Sequence, residues 1–244
     1  MIKAKHQKWA EFIFRLYIFR LLSKNFASFQ LLGKEPLISP EKPLLILPNH
    51  STWWDGFFVY LLNKKIFQRD LYLMMLEEQL LKYPFFSRVG AYSIQQGKPK
   101  KVIESLQYTL NLFQQKNQPP PLVCLFPQGE LKPWGERPLG FESGLDWLLK
   151  HASSDIQVLP LAMRVELLEK QKPEVFFKFE SVFSSKSITQ PASKFLERRM
   201  TEILDNLMHE IYAKNTGESL LEGGLSINSR WDKFKSIIKN PKEH

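Results

Sequence analysis

His50 and Asp55 are the residues of this chain whose types and spacing best suit chemistry. The segment His50-Ser51-Thr52-Trp53-Trp54-Asp55 sets an imidazole and a carboxylate one short turn apart. Such a pair takes a proton from an alcohol near neutral pH, because the carboxylate fixes the ring tautomer and stabilises the imidazolium that forms. The elements that must position the pair are legible on either side. The apolar run Leu44-Leu45-Ile46-Leu47, closed by Pro48 and Asn49, reads as a short buried strand of a mostly parallel sheet. Gly56 to Leu62 is an apolar, aromatic-rich stretch that opens a helix. The pair therefore belongs at the carboxyl end of a strand, where open α/β sheets build their sites. With 5 histidines and 25 acidic residues in the chain, one His-x4-Asp spacing arises easily by chance, so its meaning depends on context.

Three further segments follow in order. Val89-Gly90-Ala91-Tyr92-Ser93-Ile94-Gln95-Gln96 is the first. Val123-Cys124-Leu125-Phe126-Pro127-Gln128-Gly129-Glu130 is a strand ending in a Pro-x-Gly turn. Val158-Leu159-Pro160-Leu161-Ala162 is a short apolar strand with an internal proline. With Asn49-His50-x4-Asp55 they resemble the four blocks of the glycerolipid acyltransferase family, the lysophospholipid and 1-acylglycerol-3-phosphate acyltransferases. The blocks span residues 44 to 165. Block one is intact. Block three, Phe-Pro-Glu-Gly in the family, stands here as Phe126-Pro127-Gln128-Gly129, and the next residue, usually Thr, is Glu130.

The resemblance implies that fold and that activity. His50 would be the general base and Asp55 its orienting partner. Asn49, Gln96 and the segment Phe126, Pro127, Gln128, Gly129 and Glu130 would bind substrate. The donor would be acyl-CoA or an acyl carrier protein, with no other cofactor and no metal. Transfer would be direct: Gly140-Phe141-Glu142-Ser143-Gly144 has its serine one place too late for a nucleophile elbow. Ser51, beside His50, stays open as an alternative nucleophile. The Pro-x-Gly turn would offer backbone N–H groups to an oxyanion or a phosphate. The family commonly ends block two in an arginine that pairs with the acceptor's phosphate, and alignment on Gly90 puts Gln96 there. Arg88 and Lys98 lie nearby, out of register. This departure favours a lysophospholipid with a larger head group, or another lipid alcohol, over a phosphomonoester. Lys132, Arg137 and Arg164 are candidates for contacting coenzyme A phosphates or an acidic carrier.

Composition narrows the alternatives. The chain has 244 residues, 43% hydrophobic, which suits one large domain and excludes a disordered chain. Lys and Arg number 34 against 25 acidic residues, a net charge of +9 that suits an anionic partner. No Lys/Arg run or recognisable module supports nucleic acid. One cysteine, Cys124, excludes an internal disulfide framework and a Cys-based zinc site, and its apolar strand makes it a core residue. No stretch approaches the roughly 20 apolar residues that span a bilayer. The N-terminus lacks a signal peptide's shape, since Glu11, Arg15 and Arg20 interrupt its apolar run.

Residues 8 to 32 read as one helix, with Trp9, Phe12, Ile13, Leu16, Tyr17 and Phe19 among the basic residues Lys8, Arg15, Arg20 and Lys24. It suits a membrane interface, a core contact, or both on different faces. The expected architecture is a single, mostly parallel α/β sheet flanked by helices. It divides into an N-terminal membrane-associating helix (1–33), an acyltransferase domain (34–215) and a loosely packed tail (216–244), in which Trp231 and Phe234 are docking candidates. Helices are expected over 100–116, with Val102, Ile103, Leu106, Leu110 and Phe113 inward, over 141–151 and over 191–212. A strand turning into a helix is expected over 71–81, and strands over 122–126, 156–166 and 174–183. The protein would work as a peripheral enzyme at the cytoplasmic face of a membrane, against anionic lipid, in an oligomeric state left open. The competing reading is a catalytically silent lipid-binding protein on the same fold.

Overall fold

In the computed structural model, which describes residues 1–224, the chain opens with a helix, α1 (Lys8–Asn25), and then a strand, β1 (Ser28–Leu31). The core alternation follows: β2 (Leu44–Pro48), α2 (Asp55–Leu62), β3 (Leu71–Leu76), α3 (Glu77–Lys82), β4 (Ala91–Ile94), α4 (Pro99–Phe113), β5 (Leu122–Cys124), α5 (Gly144–Lys150) and β6 (Gln157–Glu166). It closes with β7 (Glu174–Phe179), β8 (Phe183–Ser184), α6 (Ala192–Tyr212) and β9 (Glu218–Glu222). The nine strands of the described residues form one sheet in the order β4-β3-β5-β2-β6-β7-β1-β9, with β8 beside β6. The sheet is mostly parallel: β3 with β4 and β5, β2 with β5 and β6, and β1 with β7. The pairs β6–β7, β6–β8 and β1–β9 are antiparallel.

Alternation along the central strands feeds two cores. Leu45 and Leu47 of β2, Val123 of β5 and Val158 and Ala162 of β6 pack under α4, α5 and α6. Leu44, Ile46, Leu122, Cys124, Leu159, Leu161 and Met163 face the opposite way, under α1 and α2. A strand covered on both faces has no polar side, which is why these segments read as continuous apolar runs. The carboxyl ends of β4, β3, β5, β2 and β6 all lie along one edge, because those strands are mutually parallel.

The structure corrects the sequence expectations at four places. The N-terminal helix stops at Asn25, not at residue 32. Phe26 takes up extended backbone while its N–H closes on Leu22 O, and residues 28–31 become β1, inside the sheet. A four-residue strand within an apolar stretch shows no period of its own; its partners, β7 and β9, are remote in sequence. Residues 218–222, placed in the tail, form an edge strand on β1. Ile103 turns outward, 39% exposed, while Leu106, Leu110 and Phe113 are buried as expected. The strand expected over 174–183 ends at Phe179 and resumes only as β8. Trp231 and Phe234 lie outside the described residues.

Candidate active site

The turn from β2 into α2 is folded around Asp55. This carboxylate, 2% exposed, accepts hydrogen bonds from the backbone N–H groups of Ser51 (2.7 Å) and Thr52 (2.9 Å) and from the Thr52 hydroxyl (2.5 Å). Its Oδ2 also lies 2.9 Å from His50 Nδ1. An ionised carboxylate offers only lone pairs, so the hydrogen in that contact sits on Nδ1 and the lone pair of the neutral ring sits on Nε2. The tautomer follows from this network. Nε2 has no protein partner among the described residues, and the His50 side chain remains 23% exposed. The arrangement leaves one basic nitrogen open to a ligand and the other tied down.

The rest of His50 is held by the loop after β5. Its backbone N–H donates to Gln128 Oε1 at 2.6 Å. Its carbonyl accepts the Lys132 N–H at 2.9 Å. Its ring stacks on Phe126, with centroids 4.1 Å apart and planes 22° from parallel. Gln128 is itself 2% exposed. A buried backbone donor left unpaired costs about 1–3 kcal/mol, so this carboxamide fixes where the histidine sits. The bond needs only an acceptor oxygen, which Gln supplies as well as Glu would.

The other expected site residues divide between the same junction and its surroundings. Asn49 is 2% exposed; its carboxamide accepts from Met163 N–H (2.7 Å) and donates to Met163 O (3.1 Å), so it ties the end of β2 to β6. Pro127 and Gly129 complete the turn. Gly129 has φ +71°, a backbone conformation that favours glycine, and a Cβ there would crowd the side chains of Gln96 (Nε2 at 3.0 Å) and Glu142 (Cγ at 3.2 Å). Gly129 N–H closes the turn on Phe126 O (3.1 Å), which removes it from the donors available to an oxyanion. Gln96 is exposed and donates to Gly129 O, so it braces the turn from outside. Glu130 is exposed, 3.7 Å from Lys132 Nζ. The Ser51 hydroxyl lies 3.4 Å from Asn49 Nδ2, and that serine serves Asp55 through its backbone.

Residues 29–164, more than half of the chain, match the family model described as Acyltransferase. The chain belongs to that family. Among solved structures it is similar to the crystal structure of the 1-acyl-sn-glycerophosphate (LPA) acyltransferase PlsC from Thermotoga maritima, at 14% identity and a TM-score of 0.56. The match covers 84% of this chain and 79% of that one. A comparison with curated proteins returned no match.

Within this Acyltransferase domain the candidate cations are mostly engaged. Arg88 stacks over Trp9, 5.4 Å from its centroid, and lies before β4, at the amino end of the parallel strands. Arg164 is paired with Glu166, Arg137 with Asp205 (3.2 Å), and Lys132 lies between Glu130 and Glu136. Lys98 is exposed at the start of α4. Cys124 is fully buried beneath the turn; burial, and then the Asp55 charge, push its thiol well above the ordinary range, which keeps it a protonated core side chain. Among the described residues no group of three or more His, Cys, Asp or Glu is placed to hold a metal ion. The sequence reading missed the Gln128 and Lys132 contacts to the His50 backbone, because a bond spanning 78 residues leaves no local signal.

Proposed function

We propose that this member of the Acyltransferase family transfers a fatty acyl group from an acyl thioester, on coenzyme A or a carrier protein, to the hydroxyl of a lysophospholipid or related lipid alcohol. One observation carries the reading: His50 is held on four sides with Nε2 left open. In this reading Nε2 takes the acceptor's hydroxyl proton as that oxygen attacks the thioester carbonyl. The C–S bond then breaks, and the imidazolium returns the proton to the departing thiolate. Asp55 stabilises the imidazolium between the two steps. A silent lipid-binding protein would gain nothing from so constrained a base, so the enzyme reading is preferred.

Gln96 bears on the acceptor. Its carboxamide is committed to Gly129 O, and it brings no charge. A phosphomonoester acceptor would lose the charge-assisted bonds an arginine supplies, so an acceptor with a head group is favoured.

The N-terminal helix supports work at a membrane surface. Ala10, Phe14, Ile18 and Leu22 are buried against the domain, whereas Trp9, Phe12, Ile13, Leu16 and Tyr17 are 51–60% exposed on the opposite face. A groove of about 400 Å³, lined by Ile13, Phe14, Tyr17, Lys82 and residues 83–86, continues that apolar face. Among the described residues no helix is long and apolar enough to cross a membrane, so the reading is peripheral attachment, at the cytoplasmic leaflet where anionic lipid meets the protein's positive charge.

The test is transfer by the purified protein from labelled acyl-CoA and from acyl carrier protein to a panel of lipid acceptors. Acyl transfer to a lysophospholipid is the expected result. No transfer from either donor to any acceptor would sink the proposal.

A further inference from the structure

A second concavity flanks α1, apart from the groove beside Ile13 and Tyr17. Arg15, Leu16 and Phe19 of α1, with Lys64 and Lys65, line a cleft of about 380 Å³. The two lysines belong to a single π-helical turn, Asn63–Phe67, that continues α2. Such turns are rare and recur at functional sites. This one is pinned from inside. The fully buried Asn63 donates to Arg69 O (2.8 Å) and accepts from Arg69 N–H (3.1 Å), and its carbonyl accepts the Gln68 N–H at 2.6 Å. The backbone is thereby fixed, with Lys64 and Lys65 presented to α1.

Charge along the cleft does not balance. Glu11 takes Lys64 Nζ at 2.5 Å and the Tyr60 hydroxyl at 2.8 Å. Arg15 and Lys65, both exposed, form no ion pair or hydrogen bond among the described residues, and Lys65 Nζ lies 6.0 Å from the centroid of Phe19. Two uncompensated cations beside Leu16 and Phe19 suit a ligand that is anionic at one end and apolar at the other.

We propose that this cleft holds the phosphodiester of an anionic membrane phospholipid. The Arg15 guanidinium forks onto phosphate oxygens, Lys65 adds a second charge, and the lipid's apolar part lies against Leu16 and Phe19. Continuity favours a lipid over free phosphate. Leu16 also belongs to the exposed stripe of Trp9, Phe12, Ile13 and Tyr17, so the cations stand at the margin of that apolar face. The cleft lies beyond the carboxyl end of α2, whereas His50 and Asp55 lie at its amino end, so the two sites are separate. The inference rests on the reading of α1 as a peripheral membrane attachment and on nothing in the acyl-transfer chemistry.

The experiment uses the full chain with Arg15→Gln and Lys65→Gln. A control pair, Lys116→Gln with Lys150→Gln, removes the same charge from exposed positions beside α4 and α5, on the opposite face of the sheet. A third pair, Phe12→Ser with Tyr17→Ser, weakens the apolar stripe without touching the cleft. Thermal unfolding checks the fold of each. Sedimentation is measured with phosphatidylcholine vesicles, with and without phosphatidylglycerol. Calorimetry with monomerically dissolved dihexanoyl phosphatidylglycerol, and with inorganic phosphate, reads the cleft away from a membrane.

The Arg15 and Lys65 pair should weaken binding to the anionic vesicles by about tenfold or more and abolish binding of the short-chain lipid. Binding to pure phosphatidylcholine vesicles should not change, and the control pair should alter none of these by more than about twofold. Short-chain lipid that fails to bind, or binds the Arg15 and Lys65 variant as well as the natural protein, would overturn the proposal. So would equal losses in the two charge pairs, which would assign the attraction to net charge, or phosphate binding as tight as the lipid's. If the Phe12 and Tyr17 pair leaves vesicle binding intact while the short-chain lipid still requires Arg15 and Lys65, the attachment reading fails and the lipid site stands.

Discussion

Two loops meet at His50, and they are built differently. The turn from His50 to Asp55 is self-contained: a buried carboxylate gathers the backbone N–H groups and hydroxyl of its immediate neighbours and the Nδ1 of the histidine. The loop from Phe126 to Lys132 contributes nothing to its own neighbours that explains its role. It works at a distance in sequence, through one carboxamide, one backbone N–H and one aromatic face, all on His50. The first loop ties down one ring nitrogen of the histidine and leaves the other open. The second holds its backbone and one face of its ring. A local motif thus depends on a remote loop for its placement.

The comparison can be tested by breaking each loop in turn. His50→Ala should have the largest effect, a loss of transfer of about 10²–10⁴-fold with the fold intact, since it removes the base itself. Steady-state turnover by a protein whose thermal unfolding is unchanged checks this; retention of most of the turnover would rule out the mechanism.

Asp55→Asn comes next. The amide cannot accept on both sides, so it loses the negative charge behind the imidazolium and sets one of its N–H groups against backbone donors. Turnover should fall by about a hundredfold, at the low end of the general-base range, and a drop in thermal midpoint should accompany it. A wild-type rate would show that His50 needs no orienting partner.

The second loop is probed by a pair of substitutions at one position. Gln128→Leu keeps the volume and leaves the His50 N–H unpaired, at a cost of about 1–3 kcal/mol, or roughly ten- to a hundredfold in kcat if the histidine shifts. Gln128→Glu keeps the acceptor oxygen and should stay much closer to the natural protein. Equal losses in the two would mean that the position acts through its amide nitrogen and not by holding the histidine.

Smaller effects lie outside the two loops. Gln96→Arg should move acceptor preference towards lysophosphatidic acid by about tenfold, the worth of one charge-assisted bond, in a competition assay with equal acceptor concentrations. A natural preference for lysophosphatidic acid would point to another cation at the site. On α1, deletion of the whole segment is uninformative, because Ala10, Phe14, Ile18 and Leu22 belong to the core. Leu16→Glu and Tyr17→Glu leave that core untouched and should reduce liposome sedimentation. Undiminished binding would remove α1 from the membrane contact.

The sequence alone determined the local parts. Continuous apolar runs made β2, β5 and β6 buried strands, spacing made α4 and α6 helices, and His50 with Asp55 marked the candidate site, because each of these depends on residues close together in the chain. The tertiary structure decided what depends on distant partners. Residues 28–31 are a strand only because β7 and β9 lie beside them. The apolar residues of α1 divide into buried and exposed faces only once the sheet covers one side. Gln128 became the brace of His50 only when the β5 loop closed over the end of β2. Local patterns follow the helix and strand periods, whereas a contact across 78 residues is fixed by chain topology and leaves no periodic trace.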